Sequence, residues 1–176
     1  TIVIFGGPNF PTKFAERKKF LQSYPNIDFY MKWDGEVSYV NLVKQLIKYN
    51  LDIKKFKKDK VKTENCCYLS DDEYVEGRDH RVHDISEMPP VYSMGLMDKF
   101  FDSVLIPMMH TTRGCPFTCT FCTEGDRYYA KVTKRFELFE ELEYIAKRIS
   151  IVPDLVMTDA NFGMFIEDID KAKDIA

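Results

Sequence analysis

With 176 residues, 45% of them hydrophobic and 14% aromatic, the chain is long enough to bury the core of one or two domains. Its net charge of −3 excludes a general electrostatic pull towards nucleic acid or an anionic membrane. No apolar run approaches the roughly 18 residues that span a bilayer, and the first residues lack the charged start of a secretory leader.

In chain order, Thr1-Ile2-Val3-Ile4-Phe5 is a β-branched apolar run and predicts a buried strand. Thr12 is placed to cap a helix in which Phe14 and Leu21 share a face with Phe10 beside it. Ile27 to Met31 predicts a second strand, closed by Trp33-Asp34-Gly35-Glu36. A second helix follows, with Val40, Val43 and Ile47 along one side and Leu42, Leu46 and Tyr49 nearby. Strand, helix, strand, helix over residues 1–50 predicts an open parallel α/β sheet.

Residues 51–102 read as a connecting region. Lys54-Lys55-Phe56-Lys57-Lys58-Asp59-Lys60 is basic, but Asp71-Asp72-Glu73 follows closely, so a solvated surface is expected and no clear nucleic-acid signal is present. Cys66 and Cys67, beside Tyr68 and Leu69, predict a short strand in which free cysteines act as small buried hydrophobes. His80 and His83 lie among charged neighbours and are expected at the surface. The prolines of Met88-Pro89-Pro90-Val91-Tyr92 favour extended chain, and Gly95 to Asp102 predicts a short amphipathic helix.

A second domain is expected from about residue 103. Val104 to Met109 predicts a strand and Glu137 to Ile149 a helix. In that helix Leu138, Leu142, Ile145 and Ile149 recur at helical spacing, with Glu140, Glu141, Glu143, Lys147 and Arg148 outward. Glu143 and Lys147 form an i,i+4 pair in the favourable order. Asp154 to Thr158 predicts the next strand, and a further helix starts near Glu167. This βαβα order predicts a parallel pair with a right-handed crossover, the first two units of a (β/α) barrel. Both ends of the chain fall within apolar or helical patterns rather than loose polar ones, which predicts a fragment of a longer protein.

The segment Arg113-Gly114-Cys115-Pro116-Phe117-Thr118-Cys119-Thr120-Phe121-Cys122 carries the chemistry. Five cysteines, an odd number, without a secretory leader argue against disulfides and for free thiols in a reducing cytoplasm. Three thiolates can ligate three irons of a four-iron cluster and leave the fourth iron open. The other reading is structural zinc in a zinc-stabilised, non-catalytic binding module. Its fourth ligand would come from His110, or from Cys66, Cys67, His80 and His83. The Cys-x2-Cys-x2-Cys-x3-Cys-Pro run of bacterial ferredoxins does not fit.

This Cys-x3-Cys-x2-Cys loop, with Phe121 just before its third cysteine, resembles the cluster motif of the radical S-adenosylmethionine (SAM) superfamily. The resemblance implies a [4Fe–4S] cluster on Cys115, Cys119 and Cys122, with SAM chelating the open iron and being cleaved to a 5′-deoxyadenosyl radical. It also implies a partial TIM-type (β/α) barrel, Phe121 packed near the adenine, and an electron donor such as flavodoxin or ferredoxin. Active sites of such barrels lie at the C-terminal strand ends. The loop Thr158-Asp159-Ala160-Asn161-Phe162-Gly163 is therefore expected to face the same cavity as the cysteines. There Asp159 and Asn161 would hydrogen-bond the amino group of SAM or the substrate, unless Asp159 serves to order a turn. Arg127 and Arg135 would balance the SAM carboxylate or lie at the surface.

Gly6-Gly7-Pro8 after a strand, Ile27-Asp28 opening the next, and Asp34-Gly35-Glu36 before a helix resemble the latter part of the cobalamin-binding domain fused to many radical SAM enzymes. In that domain the paired glycines let the backbone approach the nucleotide tail. The family's Gly-Glu-Gly-Glu stands here as Trp33-Asp34-Gly35-Glu36. The expected architecture is α/β. Residues 1–50 would be the C-terminal half of a Rossmann-like cobalamin-binding domain, 51–102 a connecting region, and 103–176 the first βα units of the barrel. The implied reaction is cobalamin-assisted methyl transfer to an unidentified substrate. A radical SAM methylthiotransferase or another radical transformation is the second enzyme reading.

Overall fold

The computed structural model describes residues 1–7, 9–101, 105–134, 138–149 and 154–176. Two units divide at Val82/His83, so residues 51–82 of the segment read as a connection pack in the first unit and residues 83–101 in the second.

The first unit is built on a four-stranded sheet in the order β1 (Ile4–Gly6), β2 (Phe29–Met31), β3 (Cys66–Ser70), β4 (Glu73–Glu76). β1 and β2 run parallel, in register Ile4 to Phe29, as the strand–helix–strand order predicts. β3 and β4 are antiparallel additions, so the sheet is mixed rather than wholly parallel. Asp71 and Asp72, with φ of 45° and 64°, make the two-residue turn between them. Positive φ at both central residues matches the right-handed twist of a hairpin and lets β4 return directly.

Helices cover both faces of this sheet. α1 (Phe14–Ser23) lies on one, and α2 (Glu36–Lys48) with α3 (Ile53–Lys58) on the other. Alternation along the strands sorts the side chains. Phe29, Met31, Cys66 and Tyr68 meet Leu42, Leu46 and Phe56, while Tyr30 and Cys67 meet Phe10 and Leu21. The rings of Phe29, Phe56 and Tyr68 pack edge-on or tilted with centroids 5.3–6.0 Å apart. Phe10 stacks on Tyr30 at 4.4 Å. Such contacts add about 0.5–1.5 kcal/mol per pair beyond area burial.

Several local expectations shift. Thr12 makes no side-chain cap; α1 starts after Lys13, and the Thr12 carbonyl instead accepts from the Arg17 guanidinium. Phe14 is exposed while Leu21 is buried. In α2 the inward stripe is Ser38, Leu42 and Leu46, and Val40 and Ile47 face out. Both stripes have helical spacing, and only the position of the sheet chooses between them.

The second unit contains two small sheets. β5 (Met108–Met109) pairs parallel with β8 (Val156–Met157), and β6 (Thr112–Arg113) pairs antiparallel with β7 (Thr133–Lys134). α4 (Phe139–Ala146) buries Leu138, Leu142 and Ile145 beside Tyr92 and Met109, and α5 (Asp168–Ile175) follows β8. Glu143 and Lys147 pair at 3.3 Å. Glu141, expected outward, is 2% exposed. Its carboxylate accepts from the backbone N–H groups of Tyr92 and Ser93 at 3.3 and 2.8 Å and so anchors the segment after Pro90. The Tyr92 hydroxyl in turn accepts from Met108 N and donates to Met108 O, fixing the start of β5. The amphipathic helix expected over Gly95 to Asp102 is a single 3-10 turn, Asp98–Phe100. Asp102, Val104, Arg135, Glu137 and Pro8, which figure in the expectations above, lie outside the described residues. Among the described residues no helix is long and apolar enough to cross a membrane.

Candidate functional site

The cysteine loop begins where β6 ends and returns through β7. The β6–β7 ladder, with Arg113 opposite Thr133, closes the loop at its base, and the Thr133 hydroxyl donates to Arg113 O at 3.3 Å. Inside, Cys115 N donates to Tyr129 O at 3.0 Å and Cys122 N to Cys119 O at 3.2 Å. Two 3-10 turns, Thr123–Gly125 and Arg127–Tyr129, follow the third cysteine. Gly125 packs directly on the Cys119 backbone: a Cβ there would overlap Cys119 O and stand 3.0 Å from Cys119 N. A glycine three residues after the third cysteine is thus a requirement of the loop that motif spacing had not singled out.

All three cysteines are free; Cys119 and Cys122 are exposed and Cys115 is half-buried. Phe121 is 91% exposed and Phe117 55%. With Pro116 also exposed, these apolar residues do not form a dry pocket by themselves. Their accessibility leaves room for a group bound against them.

The loop after β8 comes to the same place. Because β5 and β8 are parallel, both chains emerge at one end of the pair. Asp159 accepts from Thr111 N at 2.9 Å, from the Thr111 and Thr112 hydroxyls at 2.9 and 2.5 Å, and from Thr112 N. Its carboxylate therefore orders the strand entry to the cysteine loop. Asn161 Nδ2 donates to Cys115 Sγ at 3.1 Å. Behind them Lys171, 6% exposed, donates to Thr111 Oγ1 at 3.0 Å and to Asp168 Oδ1 at 3.3 Å. Asp168 also accepts from Gly163 N and Phe165 N at 3.0 Å. Burial alone would raise the pKa of Asp168, but these two N–H groups and the Lys171 ammonium outweigh it and hold the carboxyl below its ordinary value. Lys171, Asp168 and Thr111 were not legible as a group, since 60 positions separate Lys171 from Thr111.

A polar cavity of about 180 Å³ opens beside the loop, lined by His110, Arg113, Gly114, Glu124, Thr158 and Ala160 among others. It is smaller than the roughly 300–1,000 Å³ of ordinary small-molecule sites, so it suits a charged head group rather than a whole nucleoside-bearing cofactor. Arg127 is exposed.

The donor set fits an iron–sulfur cluster in kind: three unpaired thiols on one short loop, one of them receiving an amide N–H. Among the described residues no three His, Cys, Asp or Glu side chains are gathered as a metal cage. His110 stands 3.4 Å from the Arg113 guanidinium.

The first unit places its candidate residues at the C-terminal ends of β1 and β2. A Cβ on Gly6 would lie 3.1 Å from Met31 O. Gly7 has φ of 112°, with nothing within 4 Å of where a Cβ would project, so its backbone is bare on the outer side. That bare turn fits close approach of a ligand. Asp34 is already occupied: it accepts from Val82 N at 2.8 Å, pairs with Arg81 at 3.6 Å, and its carbonyl accepts from Asn65 Nδ2 at 2.7 Å. Nearby, buried Lys32 pairs with Glu76 and Asp79, and Arg17 with Glu76 at 2.6 Å. Desolvation lowers the Lys32 pKa, against the pull of Asp79.

No protein-family model matches the chain. It is 27% identical to 2-(S-pantetheinyl)-carbapenam-3-carboxylate methyltransferase of Streptantibioticus cattleyicolor, over an alignment of 184 positions covering 99% of this chain and 25% of that protein. It is 26% identical to the cobalamin-dependent radical SAM methyltransferase TokK of Streptomyces tokunonensis, with the same coverage. To an uncharacterized methyltransferase of Pyrococcus horikoshii it is 29% identical, over 86% of this chain and 33% of that protein. In fold it matches the cobalamin-dependent SAM radical enzyme OxsB, solved with aqua-cobalamin and SAM bound. The TM-score is 0.62 at 22% identity, covering 99% of this chain and 23% of OxsB. The chain thus spans about a quarter of the first two curated relatives, and along nearly its whole length it resembles cobalamin-dependent radical SAM methyltransferases.

Proposed function

We propose that this chain is the part of a cobalamin-dependent radical SAM methyltransferase that holds the [4Fe–4S] cluster, with Cys115, Cys119 and Cys122 as its protein ligands. On this reading the first unit contributes the latter part of a cobalamin-binding domain. The second contributes the first βα units of a partial TIM-type barrel. The observation that carries the reading is the convergence of two loops at one end of the parallel pair β5–β8, the Cys-x3-Cys-x2-Cys loop and the loop bearing Asp159 and Asn161. Barrel active sites lie at that end of the strands.

When bound, the cluster supplies the electron that breaks a carbon–sulfur bond of SAM, and cobalamin supplies the methyl group. The chain's own residues bind and orient. Asp159 holds Thr111 and Thr112, and through them the strand from which the cysteines emerge. Glu124 and Arg113 give the small cavity beside Gly114 both signs of charge, suited to an amino-acid head group such as that of SAM. Exposed Phe121 offers an apolar face to the adenine, and the bare turn at Gly7 offers a backbone surface to the cobalamin nucleotide tail. The acceptor substrate is a separate small molecule or macromolecule. An electron donor of the flavodoxin or ferredoxin kind is needed to reduce the cluster, and a reducing cytoplasm is the compartment that keeps the thiols free.

The test is anaerobic reconstitution of the full-length protein, counting iron and assaying 5′-deoxyadenosine with and without Cys119→Ala. About four irons per chain, with nucleoside formation abolished by the substitution, is the expected result. Zinc in place of iron, or nucleoside release that survives the substitution, rejects the reading in favour of a zinc-stabilised module or another chemistry.

A further inference from the structure

We infer that Asn161 is a positioning residue that tunes the cluster: its side-chain amide donates to the sulfur of Cys115 and raises the reduction potential of whatever cluster that sulfur ligates. The inference rests on the cluster reading above and adds a role that neither the motif nor the relatives' names assign.

The geometry is specific to this residue. Asn161 Nδ2 lies 3.1 Å from Cys115 Sγ, inside the range for a donor to sulfur. Cys115 is the one ligand of the three that is half-buried; Cys119 and Cys122 are exposed. A hydrogen bond to a ligating sulfur stabilises the extra negative charge of the reduced cluster, and it counts for more where water is partly excluded.

Asn161 is also held from both sides. Two residues before it, Asp159 is fixed by the Thr111 and Thr112 hydroxyls and N–H groups. Its own carbonyl accepts from Met164 N at 3.1 Å. Two residues after it, Gly163 N donates to buried Asp168. Lys171 then ties Asp168 back to Thr111. The same polar network thus grips the strand leading into the cysteine loop and the turn that presents the amide. An amide so placed keeps its direction and donates to sulfur without rearrangement on reduction.

The experiment uses the full-length protein, reconstituted anaerobically, as wild type and as Asn161→Ala, Asn161→Asp and Asn161→Gln. Iron content, melting temperature and the cluster midpoint potential by EPR-monitored redox titration are measured on each. Asn161→Ala is expected to load iron and melt as wild type but to titrate at a more negative potential. Asn161→Asp, close in shape but carrying negative charge and no donor, is expected to fall further. Asn161→Gln, which keeps the amide, is expected nearer to wild type. An unchanged potential in the iron-loaded Ala and Asp variants overturns the inference. So does loss of iron in both with an unchanged melting temperature, which would make Asn161 a retention residue. A wild-type protein that takes up no iron marks failure of the cluster reading itself, a separate and distinguishable result.

Discussion

The two units use the same residue type in opposite ways. In the first, Cys66 and Cys67 are 1% and 0% exposed and pack on opposite faces of the sheet as small hydrophobes. Burial pushes their thiols up to about 12 and about 11. In the second, Cys119 and Cys122 stand in the open and Cys115 is half-covered. The contrast extends to what holds each unit. The first has a continuous sheet with an aromatic core between helical layers. The second has two-residue strands clamped by polar groups: buried Glu141 on the Tyr92 and Ser93 backbone, half-buried Asp159 on Thr111 and Thr112, and buried Lys171 on Thr111 and Asp168. A cysteine is closed off where apolar packing surrounds it and reachable where its loop lies at the surface.

Thiol labelling gives the largest expected difference. In the metal-free native chain at neutral pH, Cys119 and Cys122 should alkylate at the rate of exposed thiols. Cys66 and Cys67 should lag by on the order of a thousandfold, because they react only after an opening that costs several kcal/mol. Mass-spectrometric mapping of the labelled peptides checks this; equal rates would collapse the distinction between the units.

Single substitutions sharpen it. Phe56→Ala removes the ring at the centre of the first core, 0% exposed, and should cost about 3–5 kcal/mol in urea unfolding. Asp168→Ala leaves the Lys171 ammonium buried without its carboxylate and should cost a similar ~3–5 kcal/mol, whereas Lys171→Met should cost clearly less. If Asp168→Ala proves neutral, the polar clamp is not what holds the second unit. Gly125→Ala forces the Cys119 backbone aside and should cost about 1–3 kcal/mol and lower iron retention, with thiol labelling of Cys66 unchanged.

The smallest effects are in pH. Asp168 has a depressed folded pKa, so its contribution is present above its unfolded value of about 3.9 and is lost as pH falls through the folded pKa. Cys66 and Cys67 have raised values. Their contribution is complete below an unfolded pKa of about 8.5 and declines as pH rises towards about 11 to 12. Acid should therefore weaken the second unit through Asp168, and alkali the first through Cys66 and Cys67, in melts followed by unit-specific labelling. An acid response of the second unit that Asp168→Asn leaves unchanged would break the assignment.

Local patterns were readable from residue order alone because they repeat within a few positions. The three-cysteine spacing, the Leu138, Leu142, Ile145 stripe and the Glu143–Lys147 pair needed no knowledge of distant partners, and the parallel β1–β2 and β5–β8 pairs followed from the order of the elements. Contacts made across many positions were not readable. Glu141 looked like one more charge on an acidic helix until the Tyr92 and Ser93 N–H groups, 49 and 48 positions earlier, were seen to need an acceptor. Val40 and Leu42 lie on stripes of equal regularity, and the sheet alone decides which is buried. Asp159 stood between binding a ligand and ordering a turn, and its partners at Thr111 and Thr112 became visible only once β5 and β8 were side by side. Periodicity reports the geometry of one segment with itself. Which donor meets which acceptor is set when segments pack, because a buried polar group must find its partner wherever the chain brings one.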